Sequence, residues 1–460
     1  MTECNGAEFR FEARGGREIV ARFDGGMISS DGGALLLAEA ERRTRILERF
    51  AACFHDHRDA SRVEHSTSEL VKQRVLGLCL GYEDLSDHET LRDDPLLCTL
   101  AGKPRSSARL AGKSTLSRLE LSTSADAAND RYERIAIDGP AVDRLLTDAY
   151  LESHVEAPEQ IVIDLDATDF PIHGQQAGRF FHGYYDSYCY LPLYIFAGEH
   201  LLCARLRPAN IDASKGTVEE LTPIVARIRA RWPSVRIVIR ADSGFCRDAT
   251  LSWCEANGID YVIGLARNSR LVEMSEYHLG MAQCAYAATL KSERRYGELE
   301  YETTDSWSRA RRVVLRAEHS RHGDNPRYVV TSTPVAQGGA QQLYEKIYCA
   351  RGDMENRIKE QQLGLFADRV SAHTMAANQV RLYCASIAYT LMQALRRIGL
   401  EGTELARAQC DTIRVRLLEV GAQIRSSVRR VWVSLSQAFP LQQLFAEVLA
   451  RLREPVVATT

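Results

Sequence analysis

Three acids stand where the chain could deliver them to one place. Asp166 closes Ile161-Val162-Ile163-Asp164-Leu165-Asp166, an apolar run with the pattern of a buried strand. Asp242 follows a second such run, Val235 to Ala241. Glu355 sits in the polar helical string Gly352-Asp353-Met354-Glu355-Asn356. A lone acid after a strand is usually a loop cap or a surface charge. Three that converge can hold divalent cations, and Mg²⁺ suits such a set because it keeps waters and phosphate oxygens beside a few carboxylates. Two ions so held serve the attacking and leaving oxygens of an in-line phosphoryl displacement. Asp164 rivals Asp166 for the first place, because period-two alternation puts both on the same side of the strand.

The elements around these acids follow a recognisable order. After the first strand, Tyr190–Phe196 and His200–Leu206 read as two more strands joined at Gly198-Glu199. Thr217–Arg231 is an amphipathic helix with Leu221, Ile224, Val225 and Ile228 on one face. The strand before Asp242, a helix over Ala249–Asn257 and a strand over Tyr261–Leu265 complete the unit. Strand, strand, strand, helix, strand, helix, strand is the order of a ribonuclease H-like fold. The expected class is therefore α/β, with a catalytic core over 156–270 and 341–400. A β-rich insert is expected over 271–340, in the long interval between Asp242 and Glu355. A mainly helical N-terminal DNA-binding and dimerisation region over 1–155 and a basic C-terminal region over 401–460 flank that core. In the latter, Thr412–Val420 and Val428–Ser436 alternate like a hairpin.

With 460 residues, 45% hydrophobic and 26% charged, the chain has the composition of an ordinary globular protein. No apolar run approaches the roughly 20 residues of a membrane span. The N-terminal residues lack a basic-then-apolar signal pattern, so a cytoplasmic protein is expected. The twelve Cys include no Cys-x-x-Cys pair, which argues against a zinc ribbon. The run His55-Asp56-His57 has i, i+2 spacing, which does not put two imidazoles on one helix face.

The net charge of −3 excludes a protein that coats nucleic acid by bulk charge. It does not exclude local gripping surfaces. Seven Lys leave Arg as nearly all of the 58 basic residues. Lys103, Arg105, Arg109, Lys113 and Arg118 form a stretch with no acid, a candidate phosphate track. Gly112-Lys113-Ser114-Thr115 lacks the earlier Gly of a nucleotide-binding loop, since that place is Ser107.

Linked motifs carry a resemblance. Asp166-Ala167-Thr168 fits an Asp-x-Thr motif, and Tyr348, Arg351 and Glu355 fit a Tyr-(2)-Arg-(3)-Glu signature. Further matching strings are Phe23-Asp24-Gly25-Gly26, Gly183-Tyr184-Tyr185, Ala241-Asp242-Ser243-Gly244-Phe245 and Gly364-Leu365-Phe366-Ala367-Asp368-Arg369. On these the chain resembles the DDE-type bacterial insertion-sequence transposases, in particular the insertion-sequence-1380 group. The resemblance implies catalytic and metal-binding roles for Asp166, Asp242 and Glu355, two Mg²⁺ ions with Mn²⁺ able to substitute, and DNA-phosphate contacts by Tyr348 and Arg351. The wider signature has a Lys where Gln362 stands; Lys359, one turn after Glu355, is expected to serve instead. Trp307 is the candidate for holding a displaced base. The implied partners are double-stranded DNA, as transposon ends and target, and a second copy in a homodimeric synaptic complex. The implied function is metal-dependent cleavage at terminal inverted repeats followed by strand transfer. The alternatives are a nuclease of the same fold without strand transfer, and a phosphatase reading of Asp164-Leu165-Asp166-Ala167-Thr168, which lacks the later acidic motif such enzymes need.

Overall fold

The computed structural model describes residues 8–103, 109–122, 129 and 134–455. It divides into two compact units, one of residues 1–136 with 394–457, the other centred on residues 137–393.

The second unit carries the three acids. Its elements are α1 (Gly139–Glu152), β1 (Gln160–Ala167), β2 (Leu193–Ala197), β3 (His200–Arg205), α2 (Thr217–Arg231), β4 (Arg236–Ala241), α3 (Asp248–Ala256) and β5 (Asp260–Leu265). There follow α4 (Glu276–Thr289), β6 (Glu293–Tyr301), β7 (Arg311–Ser320), β8 (Arg327–Thr331), α5 (Gly352–Lys359) and α6 (Met375–Ala394). The result is a mixed α/β fold on one large mixed sheet, with strand order β3-β2-β1-β4-β5-β8-β7-β6. Strands β1, β4 and β5 are mutually parallel, and the outer strands pair antiparallel.

Period-two alternation gives the sheet two different faces. Ile161, Ile163 and Leu165 of β1, Ile237, Ile239 and Ala241 of β4, and Tyr261 and Ile263 of β5 point to one face. They pack against Leu221, Ile224, Val225 and Ile228 of α2 and Leu251 and Cys254 of α3. The opposite face holds Val238, Val262, Val314 and Val329 and is covered by Leu343 and Tyr344. Those two residues open a helical stretch over 340–364 in which α5 is flanked by π-helical turns at Leu343–Tyr348 and Glu360–Gly364.

Two boundaries differ from the sequence reading. The residues of α1 belong to this unit, because Tyr150 and Leu151 join its core. The strands expected as an insert over 271–340 do not stand apart. Val313, Leu315, Ala317 and Val330 continue the same apolar face, so β8, β7 and β6 cover what would be an open edge of β5.

The first unit combines both ends of the chain. Helices Ala34–Thr44, Ile46–Ala51, Thr67–Cys79, Pro95–Ala101 and Lys113–Glu120 join Gln442–Arg453 from the C-terminal segment. Ser66 and Glu69 close a reciprocal capping box on the third of these. A three-stranded sheet pairs Val431–Leu435 with Ala422–Ser426 and the latter with Ile28–Ser29. The second strand is thus shorter than the alternation suggested, and the first lies at Ala422–Ser426, beyond the expected Thr412–Val420. Residues 410–418 are helical instead, with Ile413, Leu417 and Leu418 buried on one side. The close approach of that segment requires glycine: a Cβ on Gly33 would lie 2.2 Å from the Leu417 carbonyl oxygen. Among the described residues no helix is long and apolar enough to cross a membrane.

Candidate active site

Register brings the first two acids together. Arg240 pairs with Asp164 and Ala241 with Leu165 in the parallel β1–β4 ladder, so Asp166 and Asp242 leave adjacent strands at the same level. Ala241 pairs with Ile263 of β5, which puts Gly264 next in the same row. A row of Asp166, Asp242 and Gly264 therefore crosses the C-terminal ends of three parallel strands. The side-chain carboxylate of Asp242 accepts the Gly244 N–H at 2.8 Å and caps the turn Ser243–Phe245.

The helical stretch supplies the opposing wall. Arg351, Glu355, Ile358, Lys359 and Gln362 line one cleft of about 540 Å³ together with Asp166, Asp242, Thr168, His182, Tyr184 and Tyr185. Spacings of three and four residues put those side chains on one helix face. Arg351 bridges the acids: its guanidinium is 3.6 Å from the Asp166 carboxylate and donates to Glu355 at 2.7 Å. Tyr348 does not line the cleft but stands behind it. A Cβ on Gly264 would lie 2.6 Å from the Tyr348 hydroxyl and 2.9 Å from the Ser243 amide nitrogen. Only glycine leaves room there for the tyrosine beside Asp242.

The electrostatics of the row are unbalanced. Burial pushes the Asp166 carboxyl up to about 7; Arg351 opposes this, and the neighbouring Asp242 and Glu355 add to it. Burial and the carboxylates of Asp169 and Asp166 also push up the Tyr185 phenol, whose hydroxyl donates to the Ala167 carbonyl at 3.2 Å. Burial pushes up the Tyr348 phenol, against the pull of Arg351. Tyr348 therefore stays a neutral hydroxyl donor.

Asp164 has a different job. Arg240 on the next strand donates to both of its oxygens, at 2.5 and 2.7 Å, and also to the Ile347 carbonyl at 2.6 Å. Burial raises its pKa, with Arg240 opposing. The pair ties β1 to β4 and to the helical stretch, and Asp164 does not line the cleft.

The remaining expected residues lie elsewhere. Trp307 is half-buried, edge-on to Tyr301 with ring centroids 5.7 Å apart and with the Arg311 guanidinium 5.3 Å over its ring. It does not line the cleft; the exposed aromatic there is Tyr184. The basic stretch belongs to the first unit. Lys103 donates to the Glu64 carbonyl and lies 3.7 Å from Glu69, while Arg109 is paired with Asp93 at 2.5 Å. Lys113 and Arg118 are exposed on one short helix, and Arg105 lies outside the described residues. Asp56, of the His55-Asp56-His57 run, accepts from Arg58 and Thr67.

Three carboxylates line the cleft beside the oxygens of Thr168, Ser243 and Gln362 and the imidazole of His182, a mainly oxygen set that suits a hard divalent cation. Among the described residues no three His, Cys, Asp or Glu side chains are already gathered as a metal cage. Arg351 supplies positive charge between Asp166 and Glu355 where a cation would supply it. Burial lifts Asp166 to about 7 against the opposing charge of Arg351, and the nearby Asp242 and Glu355 add to the rise, so added countercharge there would favour the carboxylate form.

A family model described as Transposase DDE domain group 1 matches residues 11–456. The chain belongs to this family. It is a DDE-type DNA transposase, an enzyme class that uses divalent metal ions. No curated protein matches the chain. Among solved structures, the transposase is similar to the cryo-EM structure of a piggyBac transposase synaptic complex with hairpin DNA. That similarity has 11% identity and a TM-score of 0.41, covering 94% of this chain and 83% of that one.

The motif reading missed Gly264, although a glycine inside Tyr261-Val262-Ile263-Gly264-Leu265 is a recognised sign of close approach. Gly264→Ala should cost about 1–3 kcal/mol through overpacking, and Tyr348→Phe in the same chain should recover part of it in chemical denaturation. A neutral effect of Gly264→Ala would refute the close fit.

The two aspartates of β1 should separate by stability. The unfolded aspartate keeps its ordinary 3.8, so between 3.8 and about 7 the folded chain holds a proton that the unfolded chain has lost. The contribution of Asp166 to stability therefore falls as pH rises through that window. In metal-free protein, Asp166→Asn should flatten the fall of the thermal midpoint between pH 5 and 8 and leave the variant the more stable form above pH 7. Asp164→Ala should instead cost about 3–5 kcal/mol at neutral pH, because it strands the Arg240 charge. A mild Asp164→Ala with a damaging Asp166→Asn would reverse these roles.

Proposed function

We propose that this transposase cuts DNA at the terminal inverted repeats of its insertion sequence and joins the freed 3′-hydroxyl to target DNA at a single site. The observation that carries the reading is the convergence of Asp166, Asp242 and Glu355 on one cleft in a chain matched almost end to end by the DDE family model. The strand order β3-β2-β1-β4-β5, with three parallel strands and α2 and α3 on one face, supports a ribonuclease H-like core. The motif strings support the insertion-sequence-1380 group.

In this reading Asp166, Asp242 and Glu355 are the residues that would hold the divalent ions. Bound there, two Mg²⁺ ions, or Mn²⁺ in their place, would supply Lewis-acid chemistry for an in-line phosphoryl displacement. The protein side chains do the rest. Arg351, released from its bridge between Asp166 and Glu355, is free to turn its planar fork to a phosphate. Lys359 is exposed on the same helix face and reaches the next phosphate as a point charge. Tyr348, packed against Gly264 behind Asp242, would position the helical wall rather than touch the DNA. Both steps are in-line displacements, so one site serves cleavage and joining. The DNA-bound form is a homodimer that pairs two ends, acting in the cytoplasm on the nucleoid.

The test is cleavage and strand transfer on labelled end DNA with Mg²⁺. Asp166→Asn, Asp242→Asn and Glu355→Gln should each lower both steps by about two to three orders of magnitude or more. Strand transfer retained in Asp242→Asn or Glu355→Gln would sink the mechanism. Cleavage without joining in the wild type would favour a nuclease.

A further inference from the structure

We propose that the C-terminal hairpin Ala422–Leu435 is a rigid prong that grips duplex DNA through residues other than those lining the cleft. The inference rests on the proposed action on DNA. The hairpin carries Arg425, Arg429 and Arg430 and no acid over its whole length, in a chain whose net charge is −3. Among the described residues none of these three arginines is ion-paired, and all three are exposed.

The geometry is that of a prong. Alternation turns Ala422 and Ile424 inward, where both are buried. Gln423, Arg425, Trp432 and Ser434 face out, and Arg425 stands directly opposite Trp432 in the ladder. An exposed tryptophan beside an unpaired arginine pairs a flat apolar surface with a phosphate-binding fork. The tip is tight: the Ser427 N–H donates to the Arg430 carbonyl at 2.8 Å, and the Arg430 N–H donates to the Ser427 hydroxyl at 3.2 Å. Val428 protrudes there fully exposed, next to Arg429.

The base of the prong is fixed. Ala422 and Gln423 pair with Ile28–Ser29, the Ile424 N–H donates to the Met27 carbonyl at 2.7 Å, and the Gln423 amide donates to Gly25 at 3.0 Å. The backbone that carries the arginines is therefore already ordered before a ligand meets it. A two-stranded ribbon fits the roughly 12 Å width of a major groove. Arginines at its tip and flank then reach the phosphates on either side. An acidic protein or an anionic lipid surface would offer charge but no groove of that width.

The experiment measures binding of a fluorescein-labelled duplex of random sequence to the full chain by anisotropy across a salt series. Each phosphate contact contributes about 0.9 to the slope of log K against log salt. Replacing Arg425, Arg429 and Arg430 together by Gln should lower the slope by about 2–3 and weaken low-salt binding at least tenfold. Replacing the same three by Lys should retain the slope, which separates lost charge from lost fold. Arg429→Gln alone should remove about one unit. A wild-type chain that binds duplex with an unchanged slope in the triple Gln variant overturns the prong and leaves the transposase reading intact. A wild-type chain that binds no duplex at any salt overturns both. Tighter wild-type binding to phosphatidylserine vesicles than to duplex, lost in the triple Gln variant, assigns the prong to lipid and overturns the proposal.

Discussion

Like-charge crowding at the ends of two parallel strands is the constraint on which the rest of this site depends. The β1–β4 register leaves Asp166 and Asp242 no means of separating without breaking the ladder. The ladder itself is fixed by the apolar residues of the opposite face, where Ile163, Leu165, Ile239 and Ala241 are fully buried. A one-residue slip would turn those residues toward the cleft and the acids into the core. The hydrophobic face thus stabilises the sheet and also enforces a charge arrangement that is unfavourable by itself. Arg351 opposes that arrangement, and burial raises the pKa of Asp166 so that it takes up a proton more readily than an exposed aspartate.

The helical stretch over 340–364 completes the site through phase. Its π-helical turns bracket α5, and such turns alter the direction of the residues that follow. Arg351, Glu355, Lys359 and Gln362 then share the cleft wall. Gly264 admits the Tyr348 hydroxyl against the strand ends, and the Asp164–Arg240 pair holds the Ile347 carbonyl just before it. One missing side chain and one buried ion pair therefore set the position of the whole helical wall.

Much of the core was legible because its signals are local. Strand runs, the amphipathic α2 and the acids at strand ends are read from periodicity and from what stops it. What was not legible depends on partners distant in sequence. Asp164 and Asp166 share a strand face, and only the cross-strand position of Arg240 distinguishes them. The basic stretch reads as a phosphate track until Asp93, Glu64 and Glu69 are found against two of its cations. Residues 412–420 alternate like a strand, yet Ile413, Leu417 and Leu418 also suit a helix, and burial chose the helix. The close packing of both chain ends in the first unit has no local sign beyond Gly32-Gly33.

If the crowded carboxylates bind divalent cations, anomalous diffraction from crystals soaked in Mn²⁺ will show it. Two peaks roughly 4 Å apart are expected in the cleft, among Asp166, Asp242 and Glu355. Arg351 should be swung away from its bridge. Manganese bound only elsewhere, with Arg351 still joining Asp166 to Glu355, would contradict such binding.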